Sequence, residues 1–428
     1  MTDPNSKYLE TVRELSDRLV EVQRPIRILD AIKWDRQIKA DFLAGGAREL
    51  PRVDAQYYQR ANPLDFDPAS KRTELHQLDR DIVRRLGQLN PLTTVMRKLC
   101  REFTSVTRLL EARGTSEFGL LSQDLYGSAS DVFHAGDPTL ADMGTGMEAT
   151  LINLLRNDSM SEEPKTISAE HAVQMLNERL LSVFPKAGIR VMLNDQMTAD
   201  AAAGSDYLKI RSDALFNALD IDVLEVHEGW VHLGTTLNGM AQPYCTFLSK
   251  GPPSSTTTQE GLAVLTEILT LRSSPSRLYR LINRVRAVTL AEEGADFIQV
   301  FHYLREHNLS EDESYSITVR IFRGSTGDGK PFTKDLAYMR GFVQTYNFLR
   351  LAMSEGRLDS LPLLFCGKII LEDLPIYRLL LEDGVITPPV FVPPHFKDLK
   401  GLASWMSFSR FISSLSFDQL QADYGALV

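Results

Sequence analysis

The stretch His227-Glu-Gly-Trp-Val-His232 decides how the rest of this chain is interpreted, and Gln259-Glu-Gly-Leu-Ala263 follows it. Two histidines and a more distant glutamate, Glu260, can supply three protein ligands to one zinc ion and leave a fourth position for water. Glu228, beside the first histidine, is then a candidate general base. Together the two segments predict a catalytic metal site.

The spacing of the two histidines is unusual for a metal-binding helix. The metalloprotease motif His-Glu-x-x-His places its histidines at i and i+4 on one face, whereas His227 and His232 are at i and i+5. On a regular α-helix the second ring would point about 140° away from the first. A π-bulge would bring both rings to one side, and Gly229, which has no Cβ, makes that distortion easier. We therefore predict a π-bulge between Glu228 and His232.

Local signals place both segments on helices. Asp220 is a candidate N-cap for a metal-binding helix over about 221–237, and Thr256 with Gln259 fits a capping box at the start of the next helix. Glu260 would then lie near the first turn of that helix. A structural interpretation stays open for both segments: the histidines can belong to an acidic, solvated helix face, and Glu260 can merely favour the helix dipole.

At these residues the chain resembles the flavohemoglobin expression-modulating QEGLA-motif proteins and the related microtubule-associated tyrosine carboxypeptidases. The resemblance extends over about residues 170–380 and includes 318–324, 331–335 and Tyr338. The HExxxH spacing also occurs in the dipeptidyl peptidases of type III, so it is compatible with peptidase activity.

The resemblance implies a role for each residue of the two motifs. Glu228 would serve catalysis as the general base. The implied zinc ligands are His227, His232 and Glu260. Zinc histidines usually need a second hydrogen-bond partner, and the sequence leaves four candidates for it: Glu225, Glu267, Glu292 and Glu293.

A second cluster of candidate functional residues contains Arg320, Arg323, Lys334 and Tyr338. A planar guanidinium offers a peptide's terminal carboxylate two parallel hydrogen bonds, so these basic residues are candidates for substrate binding. Tyr338 is a candidate donor to the oxyanion of a tetrahedral intermediate. The alternative for each basic residue is an exposed, solvated charge.

The alternation of apolar residues predicts strands at 189–193 and 207–211, shortly before the metal helix. Together with long helical patterns elsewhere, this predicts an α+β, predominantly helical fold with a zincin-like metallopeptidase core and a small sheet. By analogy, one of the two strands would align extended substrate. We expect a helical N-terminal region at 1–160, a catalytic domain at 161–385 and a C-terminal helical extension at 386–428.

Segment 324–330 fits the G-x-x-x-x-G-K part of a phosphate loop, and 317–322 before it resembles a strand. Pro331, however, stands where that loop needs a Ser or Thr hydroxyl for magnesium. We therefore prefer a glycine-rich turn that carries the basic cluster.

Composition excludes several classes of function for this chain of 428 residues. The net charge of −9 argues against general affinity for nucleic acid. No long apolar run or N-terminal signal core is found, so we expect neither membrane insertion nor export. The cysteines, which are far apart and odd in number, predict reduced thiols in a cytoplasmic protein. They are Cys100, Cys245 and Cys366.

The predicted function is that of a zinc-dependent carboxypeptidase acting on a peptide or protein C-terminus, where an aromatic last residue is one candidate. Zinc would polarise the scissile carbonyl and its bound water, and Glu228 would move the proton. Two alternatives stay open: a catalytically silent regulatory or binding protein, and a zinc amidase acting on a non-peptide amide. The oligomeric state does not follow from the sequence.

Overall fold

Helices dominate this chain, as predicted, and small sheets complete the fold. The computed structural model describes residues 4–185, 187–195, 197, 199–412 and 415–424. The predicted α+β class with a predominantly helical chain is confirmed. Within this described part, none of the helices combines the length and the hydropathy needed to cross a bilayer.

The N-terminal part is helical, in agreement with the periodicity of its apolar residues. Several of its helices begin at residues whose side chains accept hydrogen bonds from the first free backbone N–H groups: Asp35, Asp54, Asp67 and Asn90. The helices are α1 (Pro4–Gln23), α2 (Ile28–Ala31), α3 (Arg36–Ala44), α4 (Ala55–Ala61), α5 (Pro68–Leu86), α6 (Pro91–Glu111), α7 (Glu117–Tyr126) and α8 (Leu140–Leu155).

Short strands surround the next helix, α9 (Ala169–Val183), which has Ser168 as its N-cap. The strands are β1 (Ile167–Ser168), β2 (Arg190–Asn194), β3 (Ala201–Ala203), β4 (Tyr207–Arg211) and β5 (Leu215–Phe216). β2 and β4 correspond to the two predicted strands and pair in parallel, while β3 pairs antiparallel with β4. The order β2-β4-β3 makes β3 an edge strand, and β1 pairs separately with β5.

The metal helix is continuous from α10 (Ala218–Leu224) through a π-helical segment (Glu225–Leu233) into α11 (Gly234–Met240). Its N-cap is Asn217, not Asp220 as predicted. Asp220 is the third helical residue, and its side chain accepts a hydrogen bond from the backbone N–H of Asn217. The two residues form a reciprocal capping box, so the helix begins three residues earlier than expected.

The C-terminal half continues with helices: α12 (Pro253–Leu269), α13 (Pro275–Glu292), α14 (Phe297–Glu306), α15 (Glu311–Phe322), α16 (Ala337–Ser354), α17 (Leu374–Glu382), α18 (Pro394–Lys397), α19 (Leu399–Ile412) and α20 (Phe417–Tyr424). Short 3-10 helices occur at Asp158–Met160, Thr246–Ser249, Thr333–Leu336, Leu358–Ser360, Pro362–Phe365 and Leu371–Asp373.

Two local predictions in this half are wrong. Residues 317–322 are helical and belong to α15, whose N-terminus is a Ser310–Glu313 capping box. Thr256 does not cap α12, because that helix already begins at Pro253. Glu260 is therefore in the third turn and not near the first.

The metal helix lies between two hydrophobic cores. Val231 belongs to a core that also contains Leu15 and Leu99 from the N-terminal helices. Trp230 packs in a separate core with Leu180 of α9 and residues of β4. Both faces of the helix are thus fixed by distant parts of the chain. The division into three segments stays a prediction, although the first core contains buried residues from all of them.

Candidate metal centre

The three predicted metal ligands, His227, His232 and Glu260, converge inside the protein. Each offers one nitrogen or oxygen atom, and these atoms lie within 4.8 Å of one another. Glu260 Oε2 is 3.3 Å from Nε2 of both histidines. His227 and Glu260 are buried, and His232 is half-buried. Two imidazole nitrogens and a carboxylate oxygen form a donor set that fits a catalytic zinc site.

The predicted π-bulge is confirmed as the π-helical segment of the metal helix. Hydrogen bonds from i to i+5 widen each turn, so residues five apart share one side. The imidazole rings of His227 and His232 are accordingly 4.7 Å apart at their centroids. Gly229 also has a packing role, because a Cβ there would lie 2.4 Å from Leu180 Cδ2 of α9.

His227 has a second carboxylate partner. Its Nδ1 lies 2.5 Å from Glu267 Oε1, and Arg277 holds Glu267 through hydrogen bonds of 2.5 and 2.6 Å. A carboxylate on the second ring nitrogen fixes the orientation of a metal-ligating histidine. Of the four glutamates that the sequence offered as partners of a metal histidine, Glu267 is thus the one that contacts His227. Glu225 forms ion pairs with arginines, and Glu292 accepts hydrogen bonds from other polar groups.

The charges around the ligands favour a bound cation. Burial alone would lower the pKa of His227, but its hydrogen bonds to Glu260 and Glu267 raise it to about 10. Burial alone would raise the pKa of Glu260, but Lys334 and the histidines lower it well below its usual value. The carboxylates therefore stay ionised, and they would stabilise positive charge placed between the ligands.

Glu228, the predicted general base, lies on the sheet side of the metal helix. It is half-buried, and its Oε2 accepts a hydrogen bond of 3.0 Å from the backbone N–H of Ala203 in β3. The candidate base is thus a neighbour of an edge strand. β4, one of the two strands that the sequence offered for aligning substrate, is central and paired on both sides, so it cannot take that role.

Lys334 brings the basic cluster into contact with the ligands. Its Nζ is 3.1 Å from Glu260 Oε1, the carboxylate oxygen that does not face the histidines. Lys334 belongs to the 3-10 helix that leads into α16. The predicted second cluster therefore reaches the candidate active site at this residue.

Arg320, a predicted substrate-binding residue, already has a carboxylate partner. Its Nε and Nη2 donate to Asp335 at 2.6 and 2.8 Å. Burial alone would raise the pKa of Asp335, but Arg320 and Arg284 lower it. Among the described residues Nη1 of Arg320 has no hydrogen-bond acceptor, so these N–H groups are open to a ligand.

Tyr338 and Arg323 complete the predicted cluster. The Tyr338 ring stacks beside the His227 ring with 6.2 Å between centroids, and its hydroxyl is 3.5 Å from Arg320 Nη2. Arg323 Cζ lies 5.6 Å from the centroid of the Phe332 ring. Within the described part of the chain its Nε has no hydrogen-bond partner. Burial and the neighbouring Arg320 lower the pKa of Arg323 to about 10.

Arg284 joins this cluster, although no sequence pattern assigned it a role. Its Cζ lies 5.1 Å from the centroid of the Tyr338 ring, and its Nε is 3.8 Å from Asp335 Oδ2. The available signal was the seven-residue spacing of Arg277 and Arg284 in α13, which places both on one helix face. Arg284 and Arg320 share Asp335, which leaves an excess of positive charge near Tyr338.

Segment 324–330 is a turn and not a phosphate loop, as we preferred on the sequence. α15 precedes it where a phosphate loop would need a strand. Gly324 has a φ of +87°, a conformation that glycine adopts readily, and its N–H donates to Tyr58 Oη at 2.8 Å. The turn connects the helix of Arg320 to the 3-10 helix of Lys334.

Comparison with known proteins agrees with this arrangement. The family model described as microtubule-associated tyrosine carboxypeptidase matches residues 40–414. This range includes the candidate ligands, Glu228, Glu267 and the basic cluster, and it is wider than the 170–380 expected from the motifs. A search of curated proteins found no match. Since the family model covers most of the sequence, the chain belongs to the microtubule-associated tyrosine carboxypeptidase family.

Proposed function

We propose that this protein is a zinc-dependent carboxypeptidase that removes the last residue of a peptide or protein, with a preference for tyrosine. One observation carries the proposal: His227, His232 and Glu260 converge with atoms suited to zinc. Membership in a family described by tyrosine carboxypeptidase activity supports the reaction class and the preferred residue.

The ligand residues and their surroundings fit zinc better than a hard cation. Imidazole nitrogen is a common zinc ligand, whereas magnesium and calcium prefer oxygen. The hydrogen bond of His227 to Glu267 would hold the ring for binding. When bound, the ion would supply a Lewis acid for the scissile carbonyl and a water of lowered pKa.

Glu228 is the proposed general base. Its carboxylate would take the proton of the attacking water and pass it to the leaving amine. The hydrogen bond from the Ala203 N–H uses Oε2 and leaves Oε1 for that proton. The same bond fixes the carboxylate, so that its orientation does not depend on substrate.

The basic cluster is the proposed site for the substrate's terminal carboxylate. Arg320 offers Nη1, because Asp335 occupies its Nε and Nη2, and Lys334 and Arg323 add positive charge. The hydroxyl of Tyr338 would donate to the oxyanion that develops on the scissile carbonyl. Recognition of a free carboxylate would restrict cleavage to the last residue.

The first test is the metal content of the purified protein after zinc reconstitution. We expect near-stoichiometric zinc in the wild type and a strong loss in His232→Ala and Glu260→Ala. His134→Ala, at an exposed histidine, is the matched control and should retain zinc. A wild type that binds no zinc would refute the proposed mechanism.

A peptide screen then tests the reaction. Peptides ending in tyrosine with a free carboxylate should lose that residue, whereas the same peptides with an amidated C-terminus should stay intact. Cleavage of both sets would indicate a different amidase or endopeptidase. Zinc binding without cleavage of either set would favour the silent binding protein.

A further inference from the structure

Lys368 approaches the metal helix from the segment between two 3-10 helices, Pro362–Phe365 and Leu371–Asp373. Its Nζ donates three hydrogen bonds: to the backbone oxygen of His232 at 2.8 Å, to Gln259 Oε1 at 2.9 Å and to Thr235 Oγ1 at 3.1 Å. Three acceptors use all the N–H groups of an ammonium. One side chain thus joins the metal helix to the residue before Glu260.

The backbone of this lysine is itself held in place. The N–H of Lys368 donates to the Leu248 carbonyl at 2.7 Å. A Cβ on Gly367 would stand 2.6 Å from the same oxygen, so the two chain segments are in contact. Leu248 belongs to the 3-10 helix that follows the metal helix, and the position of the ammonium is therefore fixed relative to that helix.

The carbonyl of His232 lies where the helix returns from π to α geometry. Besides Lys368, the hydroxyls of Thr235 and Thr236 donate to it, at 3.1 and 2.8 Å. Side chains that bond to a helix carbonyl stabilise local departures from the regular ladder. Lys368 is a third donor to this carbonyl and comes from a separate segment of the chain, so it acts where His232 must be held on the side of His227.

The partners of Lys368 are neutral, which argues against a role as a simple ion pair. Among the described residues no carboxylate lies within ion-pair distance of its Nζ. Burial lowers the pKa of Lys368 to about 7, and a buried amine is costly unless every N–H is bonded. Here all three are bonded, and they connect the two helices that supply the candidate ligands.

We propose that Lys368 is a positioning residue that fixes the His232 carbonyl and the Gln259 amide, and thereby holds His232 and Glu260 at a common metal site. This inference rests on the proposed function as a zinc enzyme. It assigns Lys368 no contact with substrate or with reacting atoms.

The test compares zinc affinity in wild type, Lys368→Met and Lys250→Met by competition with a chelator. Lys250 is exposed at the end of the Leu248 3-10 helix, so it controls for loss of a lysine. We expect Lys368→Met to bind zinc about 10–100-fold more weakly, the usual range for residues that orient ligands. Lys250→Met should match the wild type.

The absorption spectrum of the cobalt-substituted protein distinguishes positioning from a general loss of stability. We expect altered ligand-field bands in Lys368→Met at saturating cobalt, because the ligand geometry changes. Lys368→Arg, which keeps a charged donor, should restore the wild-type affinity in part. Unchanged affinity and spectrum in Lys368→Met would overturn the inference.

If Lys368→Met does not fold, Gln259→Leu replaces it. This variant removes one acceptor and keeps the lysine, and we expect a smaller loss of zinc affinity; wild-type affinity would overturn the inference. A wild type without zinc affinity is a separate outcome, because it would refute the proposed function itself and this inference with it.

Discussion

Gly261 and Gly341 lie where α12 and α16 cross, and their backbones are in contact. A Cβ on Gly261 would stand 2.0 Å from the carbonyl carbon of Gly341, and a Cβ on Gly341 would stand 1.9 Å from the Thr257 oxygen. Helix packing therefore requires a glycine after the candidate ligand Glu260. The crossing brings the helix of Glu260 next to the helix that begins beside Lys334.

Gly261→Ala should destabilise the protein and weaken zinc binding. The methyl group must push two backbones apart, which costs about 1–3 kcal/mol or more for overpacking. Urea denaturation measures the free energy of unfolding, and competition with a chelator measures the zinc affinity. Gly146→Ala is the control: nothing lies within 4 Å of a Cβ at this helical position. It should be neutral or stabilising by up to about 1 kcal/mol.

Glu228→Gln should abolish hydrolysis and keep the metal. The amide oxygen can still accept the Ala203 hydrogen bond, so the local structure is preserved while the base is lost. We expect kcat/KM on a tyrosine-ended peptide to fall by about 10²–10⁴-fold, with unchanged zinc content. Near-normal turnover would assign the proton transfer to another group.

Glu267→Gln should lower zinc affinity by about 10–100-fold, because the partner of His227 loses its charge. Glu292→Gln is the matched control, since Glu292 bonds to Ser128 and to the Ala129 backbone. Chelator competition gives both affinities. Equal losses in the two variants would contradict a specific role for Glu267.

Asp335→Asn should cost about 3–5 kcal/mol of stability, as expected when one partner of a buried ion pair is removed. Glu21→Gln, at the exposed pair with Arg24, should change stability by less than about 1 kcal/mol. The pKa of Asp335 is lowered in the folded protein. The contribution of Asp335 to the free energy of unfolding is therefore complete above about pH 3.9, the pKa of an aspartate in the unfolded chain. This contribution is lost as the pH falls below that value.

Acid titration of unfolding checks the sign of this effect. The difference in stability between wild type and Asp335→Asn should be constant near neutral pH and should shrink toward acid. A difference that grew toward acid would contradict the ion pair as its source.

The cysteines should not react with a thiol reagent in the native protein. Burial raises the pKa of each thiol to about 12, so the reactive thiolate is scarce at pH 8. With a chromogenic aromatic disulfide reagent, we expect an absorbance change only after denaturation. The change should then correspond to three thiols, those of Cys100, Cys245 and Cys366. Rapid reaction of the folded protein would show that a core opens easily.

The sequence predicted features that depend on neighbouring residues. The i, i+5 spacing of His227 and His232 required a π-helical geometry, because no other helix places both on one side. Alternation of apolar residues located β2 and β4 within a residue. Long helical patterns likewise predicted a helical N-terminal region, where the structure has α1 to α8.

Several features that depend on distant residues were not predictable. Thr256 fits a capping box, yet α12 begins earlier because the Glu102 carboxylate bonds to the Ser254 N–H and hydroxyl from across the fold. Arg284 reaches Tyr338 only through the packing of α13. The strand predicted at 317–322 was an avoidable error, since Ser310 and Glu313 form a capping box that is visible in the sequence.

The contacts between the first helix and the metal helix region constrain how this protein is made. Arg13 donates to the Pro243 carbonyl at 2.7 Å, and Ser16 lies 2.9 Å from Thr246 Oγ1. During translation, more than two hundred further residues must therefore be synthesised after α1 before its partners, Pro243 and Thr246, leave the ribosome. Lys334 and Lys368 appear later still. The candidate metal centre, with both lysines in place, can form only after residue 368 has left the ribosome, so zinc loading is expected to follow the synthesis of these segments and not to guide it.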